Sequence, residues 1–475
     1  MLRLRDSGNP GIALERLLAR RQPECVRFGL ERIRTLLEGL GNPERRFRAI
    51  HVAGTNGKGS VAATAESILR AAGRRTGLYT SPHLLEFAER IAIDGRPAAA
   101  GLLDEVAAEV LLLADAVGAT FFEATTALAF ATFARAGVEV AVVEVGLGGR
   151  LDATNVIAAE VAVITSIALD HADYLGSDPA GIAREKAGIV TEGATVVLGD
   201  IDGAPRRELL ATAERVGANV EAFGEAFGVD GVRETGDGIE LEYWSRHRTA
   251  TALVPSGGDP GRRGDSGSGG DPGSGGDPGS LALRSPLRGA HQAVNVAAAV
   301  AAVDAFASRP PGPWLAEAET VARGVAGVRW PGRFQVVRDE GPETDGAARV
   351  YDIAHNEAAA RMLAGHLKRE TDRGGLPRPV VLLTAVLGDK DWRAVLGPLL
   401  DVTDDAVLTD APSAPVARRW DLQGAAAELS RFAPLTVEPD FEQALRVARE
   451  LAGGGTVLVT GSCYTVGDAM KIGGV

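Results

Sequence analysis

One segment constrains this chain more than any other: Ile50-His51-Val52-Ala53 runs directly into Gly54-Thr55-Asn56-Gly57-Lys58-Gly59-Ser60, and an alanine-rich stretch follows. A buried strand can give way to a helix within so few residues only through a glycine turn. Such a turn gathers backbone N–H groups and the positive end of a helix at one point, with a lysine able to reach outward, as a phosphate group requires. Gly54, Thr55, Asn56, Gly57, Lys58, Gly59 and Ser60 are therefore candidate nucleotide-binding residues. The common phosphate-loop pattern is missed in its details, since Val52 stands where its first glycine belongs and Gly59 where a hydroxyl should follow the lysine. On this segment alone a plain glycine turn stays open as the alternative.

The same alternation of strand and helix continues along the chain. Residues 47–52, 138–145, 161–166 and 195–198 read as buried parallel strands, and 60–72 and 122–136 as alanine-rich helices. Between 255 and 280, 11 of 26 residues are glycine and Ser-Gly-Gly-Asp-Pro-Gly recurs at 256, 268 and 274, so no core can form there. Alternation resumes with a helix at 291–307 and strands at 334–337, 350–353, 380–384, 405–408 and 456–460. The expected fold class is α/β, with an N-terminal parallel-sheet domain over 1–254. A flexible insertion or linker is expected over 255–287, and a smaller C-terminal α/β domain over 288–475.

Charge and composition exclude several functions. The net charge of -13 disfavours a general binder of nucleic-acid phosphates. No run of about 20 apolar residues offers a membrane span, and the first residues lack a signal-peptide pattern. Cys25 and Cys463 have neither metal-site nor disulfide spacing. A cytoplasmic protein without nucleic-acid or membrane partners is expected. Of the 50 basic residues only Lys58, Lys186, Lys368, Lys390 and Lys471 are lysines. Codon bias in a GC-rich genome accounts for the scarcity; where lysine persists, its chemistry can be the reason.

Two more segments carry charge at strand ends. Glu144 precedes Gly146-Leu147-Gly148-Gly149, and His171 follows a strand in Leu169-Asp170-His171. Open α/β sheets bind ligands at the carboxyl ends of their strands. Glu144 and His171, with Ser81 from Thr80-Ser81-Pro82-His83, could thus hold a divalent cation beside the phosphates. Taken singly, a solvated glutamate and a hydrogen-bonded histidine are the plainer readings. Lys186, in Arg184-Glu185-Lys186-Ala187, would repel a cation as an ammonium, but its neutral amine can capture carbon dioxide and become an anionic carbamate ligand. An ordinary helix-surface lysine is the alternative.

Together these segments resemble the folylpolyglutamate synthase and dihydrofolate synthase family of the Mur ligase superfamily. The resemblance begins at Gly29-Leu30-Glu31-Arg32-Ile33, runs through the phosphate loop and Ser81-Pro82-His83-Leu84, and covers Glu144 to Asn155, Leu169 to Gly176 and Arg184 to Ile189. It continues in His291-Gln292-Ala293-Val294-Asn295, Pro331-Gly332-Arg333-Phe334, Asp352-Ile353-Ala354-His355-Asn356 and Gly461-Ser462-Cys463-Tyr464. The loop that misses the generic pattern has the form this family uses.

The resemblance implies a Mur-ligase-like fold, an ATPase-type N-terminal domain followed by a glutamate-ligase domain, with ATP between them. The implied reaction is ATP-dependent joining of L-glutamate to a folate, to dihydropteroate, or to both, through an acyl phosphate, by a monomer. Lys58 and Ser60 would hold phosphates, and Asn295, Arg333, Asp352 and His355 would be the second-domain nucleotide contacts. Ser81, Glu144 and His171 would be magnesium ligands, with Lys186 carbamylated as a fourth. Ser81, Pro82, His83 and Asp152 would lie near the pterin. Lys58, His171, Lys186 and Lys390 form the implied catalytic set, Lys390 in a catalytic or amino-acid-binding role. Another Mur-type amino-acid ligase, or a non-catalytic ATP-binding protein on the same scaffold, are the competing readings.

Overall fold

Valine- and isoleucine-rich runs, buried on both faces, build the first sheet of the computed structural model, which describes residues 11–20, 27–249, 278–310, 317–338, 346–431 and 434–475. Its strands are β1 (Arg48–Ala53), β2 (Thr76–Tyr79), β3 (Ile91–Ile93), β4 (Arg96–Pro97), β5 (Val140–Glu144), β6 (Val161–Ile164), β7 (Thr195–Leu198) and β8 (Asn219–Ala222). They lie in the order β4-β3-β2-β5-β1-β6-β7-β8, with β3 and β4 antiparallel at one edge and the rest parallel. β1 therefore ends between β5 and β6, where the chain leaves the sheet to either side. Glu144 pairs in register with Val52, two residues before Gly54, so the carboxylate and the phosphate loop share one rim.

The helix Lys58–Ala71, which begins inside the loop, is buried at every residue from Gly59 to Leu69. It packs against the helices Gln292–Ala307 and Ala318–Ala326. The approach is close enough that a Cβ on Gly324 would sit 2.5 Å from Ile68 Cα. The expected boundary at 288 therefore needs correction. The helix Gln292–Ala307 belongs to the first domain's core, because its alanines and valines are buried against that domain's helix and strands.

The expected linker over 255–287 is likewise too long at its end. β9 (Phe227–Thr235), β10 (Gly238–Thr249) and β11 (Pro278–Ser285) form an antiparallel sheet in the order β11-β10-β9, so 278–285 is a strand. The glycine-rich repeat itself, apart from its last residues, lies outside the described residues. Its strand partner in sequence, β10, carries Arg248, whose guanidinium makes a two-pronged pair with Asp304 at 2.6 and 2.8 Å. Each side chain is 1% exposed.

The second sheet comprises β12 (Gln335–Arg338), β13 (Ala348–Tyr351), β14 (Val380–Thr384), β15 (Asp405–Leu408), β16 (Leu435–Val437) and β17 (Thr456–Thr460). Its order is β12-β13-β17-β14-β15-β16, parallel except for β12. Among the described residues no helix is long and apolar enough to cross a membrane.

Removing one partner of a buried ion pair leaves the other charge without compensation, at a cost of about 3–5 kcal/mol. Asp304→Ala is accordingly expected to lower the stability of the first domain by about that amount, read as a drop in the urea midpoint of the full chain.

Candidate active site between the two domains

The phosphate loop is tied down by the residues that follow β6. Thr55 N–H donates to Ser166 O at 2.8 Å, Asn56 N–H donates to Ser166 Oγ at 2.9 Å, and Thr165 Oγ1 donates to Asn56 O at 2.6 Å. Gly54 has φ +149°, and a Cβ there would lie 1.9 Å from Thr165 Oγ1, so only glycine fits. The helix start at Gly57 has no side-chain cap, which leaves its first N–H groups facing the cavity. Lys58 Nζ donates to Gly54 O and Thr55 O, both at 3.1 Å, and so stays at the loop.

Four of the expected groups gather around this rim. Glu144 is buried, which raises its pKa, while nearby Lys58 opposes that shift; its carboxylate accepts the Ser81 N–H at 3.1 Å. His171, in the left-handed region at φ 53°, has its pKa lowered to about 4 by burial and by Lys390, so its ring is neutral at pH 7. Lys186 is 5% exposed and donates to Gly54 O at 3.0 Å. Burial, reinforced by Lys58, lowers its pKa to about 7. A buried carboxylate, a hydroxyl, a neutral imidazole and a partly neutral amine suit a hard divalent cation and a carbamate.

The second domain supplies the opposite wall. Asp352 is held by the N–H groups of Phe334 and Ala354, each at 2.9 Å. Arg333 lies 5.7 Å from the Trp330 ring centre. Asn295, expected on the second domain, sits instead on the first domain's helix Gln292–Ala307 and stands beside Gly57, where a Cβ would meet its Oδ1 at 2.4 Å. His355 Nδ1 donates to Ile353 O at 2.9 Å, which turns Nε2 toward Asp170. Asn356 Nδ2 donates to Asn56 Oδ1 at 3.0 Å, joining the second domain to the phosphate loop itself.

Two cavities meet here. One of about 200 Å³ is lined by the loop from Gly54 to Ser60 together with Glu144, Lys186, Asn295, Arg333, Asp352 and His355. The other, about 390 Å³, has an aromatic first-domain wall of Phe28, Phe121 and Phe122 and a cationic second-domain wall of Lys390 and Arg418. Ser81, Pro82, His171 and His355 line both, so they mark the junction.

Two expected pterin contacts sit differently. His83 accepts from Arg90 Nε at 2.8 Å and lines a third cavity, of about 420 Å³, which Pro82 also borders. Asp152 does line the aromatic cavity, but its oxygens are engaged by Leu147 N–H at 2.8 Å and by the Thr154 N–H and hydroxyl. It fixes the turn after β5. Asp170 and Asn356 had no sequence argument of their own, since their partners lie about 190 to 300 residues away.

A helix start built to receive phosphates, facing a second cavity across buried cationic and acidic groups, defines a two-domain enzyme that reacts a nucleotide with another substrate. Residues 52–249 match the Mur ligase middle domain, and 332–463 the glutamate ligase domain of Mur ligases. The chain is 37% identical over 495 residues to the dihydrofolate synthase/folylpolyglutamate synthase of Mycobacterium tuberculosis, covering 98% of this chain and 94% of that protein. Among solved structures it is similar to M. tuberculosis folylpolyglutamate synthase complexed with ADP and AMPPCP, with TM-score 0.80 and 36% identity over 97% of this chain and 98% of that one. It is also similar to Escherichia coli FolC in complex with DHPP and ADP, with TM-score 0.78 and 30% identity over 97% of each chain. The chain belongs to the Mur ligase family, in its folylpolyglutamate and dihydrofolate synthase branch, and is an ATP-dependent amino-acid ligase.

Gly54→Ala tests the cradle. The new Cβ must displace Thr165 and strain the backbone, so nucleotide affinity measured by calorimetry should fall at least about tenfold, equivalent to about 1.4 kcal/mol.

Proposed function

We propose that this enzyme joins L-glutamate to a pterin-bearing acid, a folate, dihydropteroate or both, at the expense of ATP. The observation that carries this reading is the meeting of the phosphate cradle with an aromatic, cation-ended cavity at Ser81, Pro82, His171 and His355. Flat rings suit Phe28, Phe121 and Phe122, and carboxylates suit Lys390 and Arg418.

A carboxylate is unreactive toward amines and its oxygen is a poor leaving group. In-line attack of the acid on the γ-phosphate gives an acyl phosphate and ADP. The glutamate amine then adds to the acyl carbon, loses a proton, and the tetrahedral intermediate expels phosphate as the amide forms. Lys58 and the uncapped N–H groups of its helix hold the phosphates and offset their charge. Arg333, Asp352 and His355 from the second domain, with Asn295 from the first domain's helix Gln292–Ala307, complete the nucleotide site and exclude water when the domains close. Magnesium held by Ser81, Glu144, His171 and a carbamylated Lys186 would supply further charge neutralisation at the phosphates.

The carbamate forms when the neutral Lys186 amine attacks carbon dioxide and releases a proton. Because burial lowers its pKa to about 7, the reactive fraction rises with pH across neutrality. Reactivation of carbon-dioxide-depleted enzyme by bicarbonate should be more complete at about pH 8 than at about pH 6. Lys186→Ala should be inactive and regain turnover with short-chain carboxylic acids. Full activity without either would remove the carbamate from the mechanism.

The reading places a monomer in the cytoplasm acting on small molecules, without nucleic-acid or membrane partners, in keeping with the net charge of -13. Purified protein with ATP, magnesium and glutamate, offered dihydropteroate and tetrahydrofolate separately, should release phosphate with one or both. Lys58→Ala should lower kcat by about 10²–10³. Absence of glutamate-dependent release with every such acid would overturn the assignment.

A further inference from the structure

Asp170 is the point where the two domains converge on the junction. Its oxygens receive Lys390 Nζ, the His171 N–H at 2.8 Å and Asn356 Nδ2 at 3.2 Å, and lie 3.4 Å from His355 Nε2. Three of these four groups come from the second domain, on two separate loops, one after β13 and one after β14. The Asp170 and Lys390 side chains are 8% and 6% exposed. Burial alone would raise the Asp170 pKa, yet His355, Lys390 and His171 hold it well below the usual carboxylate range.

The pair also spans the boundary between the cavities, since Asp170 lines the nucleotide side and Lys390 the acid side. Lys390 Nζ lies 3.3 Å from His171 Nε2. A lysine carries its charge on a flexible four-carbon stem, so an ammonium serves one geometry only when something fixes it. A buried carboxylate does so only while the domains are together, because parting them returns both charges to water.

We propose that Asp170 is a positioning residue: it fixes the Lys390 ammonium at the junction of the two cavities and couples that placement to domain closure. The inference rests on the ligase reading and adds to it the residue through which Lys390 acts. In this reading Lys390 faces the developing charge of the acyl transfer, and Asp170 acts through it, its oxygens being engaged by Lys390, the His171 backbone N–H and Asn356.

The test is a double-mutant cycle in the full chain, with Asp170→Asn, Lys390→Met and the double variant, followed by glutamate-dependent phosphate release, KM for ATP and thermal midpoint. Each single substitution is expected to lower kcat at least about tenfold while KM for ATP stays within about threefold, and the double variant to be no slower than the slower single. Losses that multiply in the double variant, or that track a fall in thermal midpoint, would assign Asp170 a purely structural role and overturn the proposal. So would kcat within about threefold of the parent for Asp170→Asn. A parent enzyme without glutamate-dependent release overturns the ligase reading, and this inference with it; an active parent with an unaffected Asp170→Asn variant overturns this inference alone.

Discussion

The burial of the helix Lys58–Ala71 on every side is the constraint on which the rest depends. Its N-terminus is the phosphate cradle, its flanks are held by the helices Gln292–Ala307 and Ala318–Ala326, and a Cβ on Gly59 would strike the Trp330 ring at 2.5 Å. Small residues along this helix permit the close approach, and the close approach fixes where Trp330, Arg333 and hence the second domain begin. Dense packing of this kind transmits position with little slack. The cradle therefore faces the second-domain nucleotide wall across a short, closely packed connection.

Around that helix the molecule buries charge that an ordinary core would avoid. Glu144, Lys186, Asp170 and Lys390 are all withdrawn from water within one cleft, and the ionisation of the first three is set by burial and by neighbouring charges. Burial pushes Glu144 up and Lys186 down, so each moves toward its neutral form, while Asp170 is held ionised by the cations that converge on it. Such an arrangement is unfavourable for stability and useful for chemistry, because a site with poorly solvated charges responds strongly to phosphate and metal. The Arg248–Asp304 pair is a contrasting case, fully matched and remote from the cleft, where it ties β10 to the helix behind the sheet.

Periodicity made most of the parallel strands and the phosphate-loop helix legible, since β1, β5, β6, β7 and the strands of the second sheet other than β16 begin and end within a few residues of where apolar runs predict them. The antiparallel sheet of β9, β10 and β11 leaves no such signal, because its strands are half exposed and β11 begins inside a glycine-rich stretch. The boundary expected at 288 departs from the structure for a related reason. The helix Gln292–Ala307 is apolar all round, which says that it is buried but not against which sheet. His83 and Asp152 show the same limit at the site, as adjacency to Ser81 and to a glycine turn did not reveal which way each side chain is held.

By itself the sequence determined the local chemistry: a loop that can cradle phosphate, a carboxylate and a histidine at strand ends, and lysines kept at Lys58, Lys186 and Lys390 in an arginine-rich chain. Those follow from short-range geometry and from what each side chain can do. Only the tertiary structure decided that Asn56 meets Asn356 and that Asp170 meets Lys390 across 220 residues. It alone also joined the two cavities at His171 and His355. Pairings at such separations depend on how two independently patterned sheets dock, and no periodicity within either one encodes that.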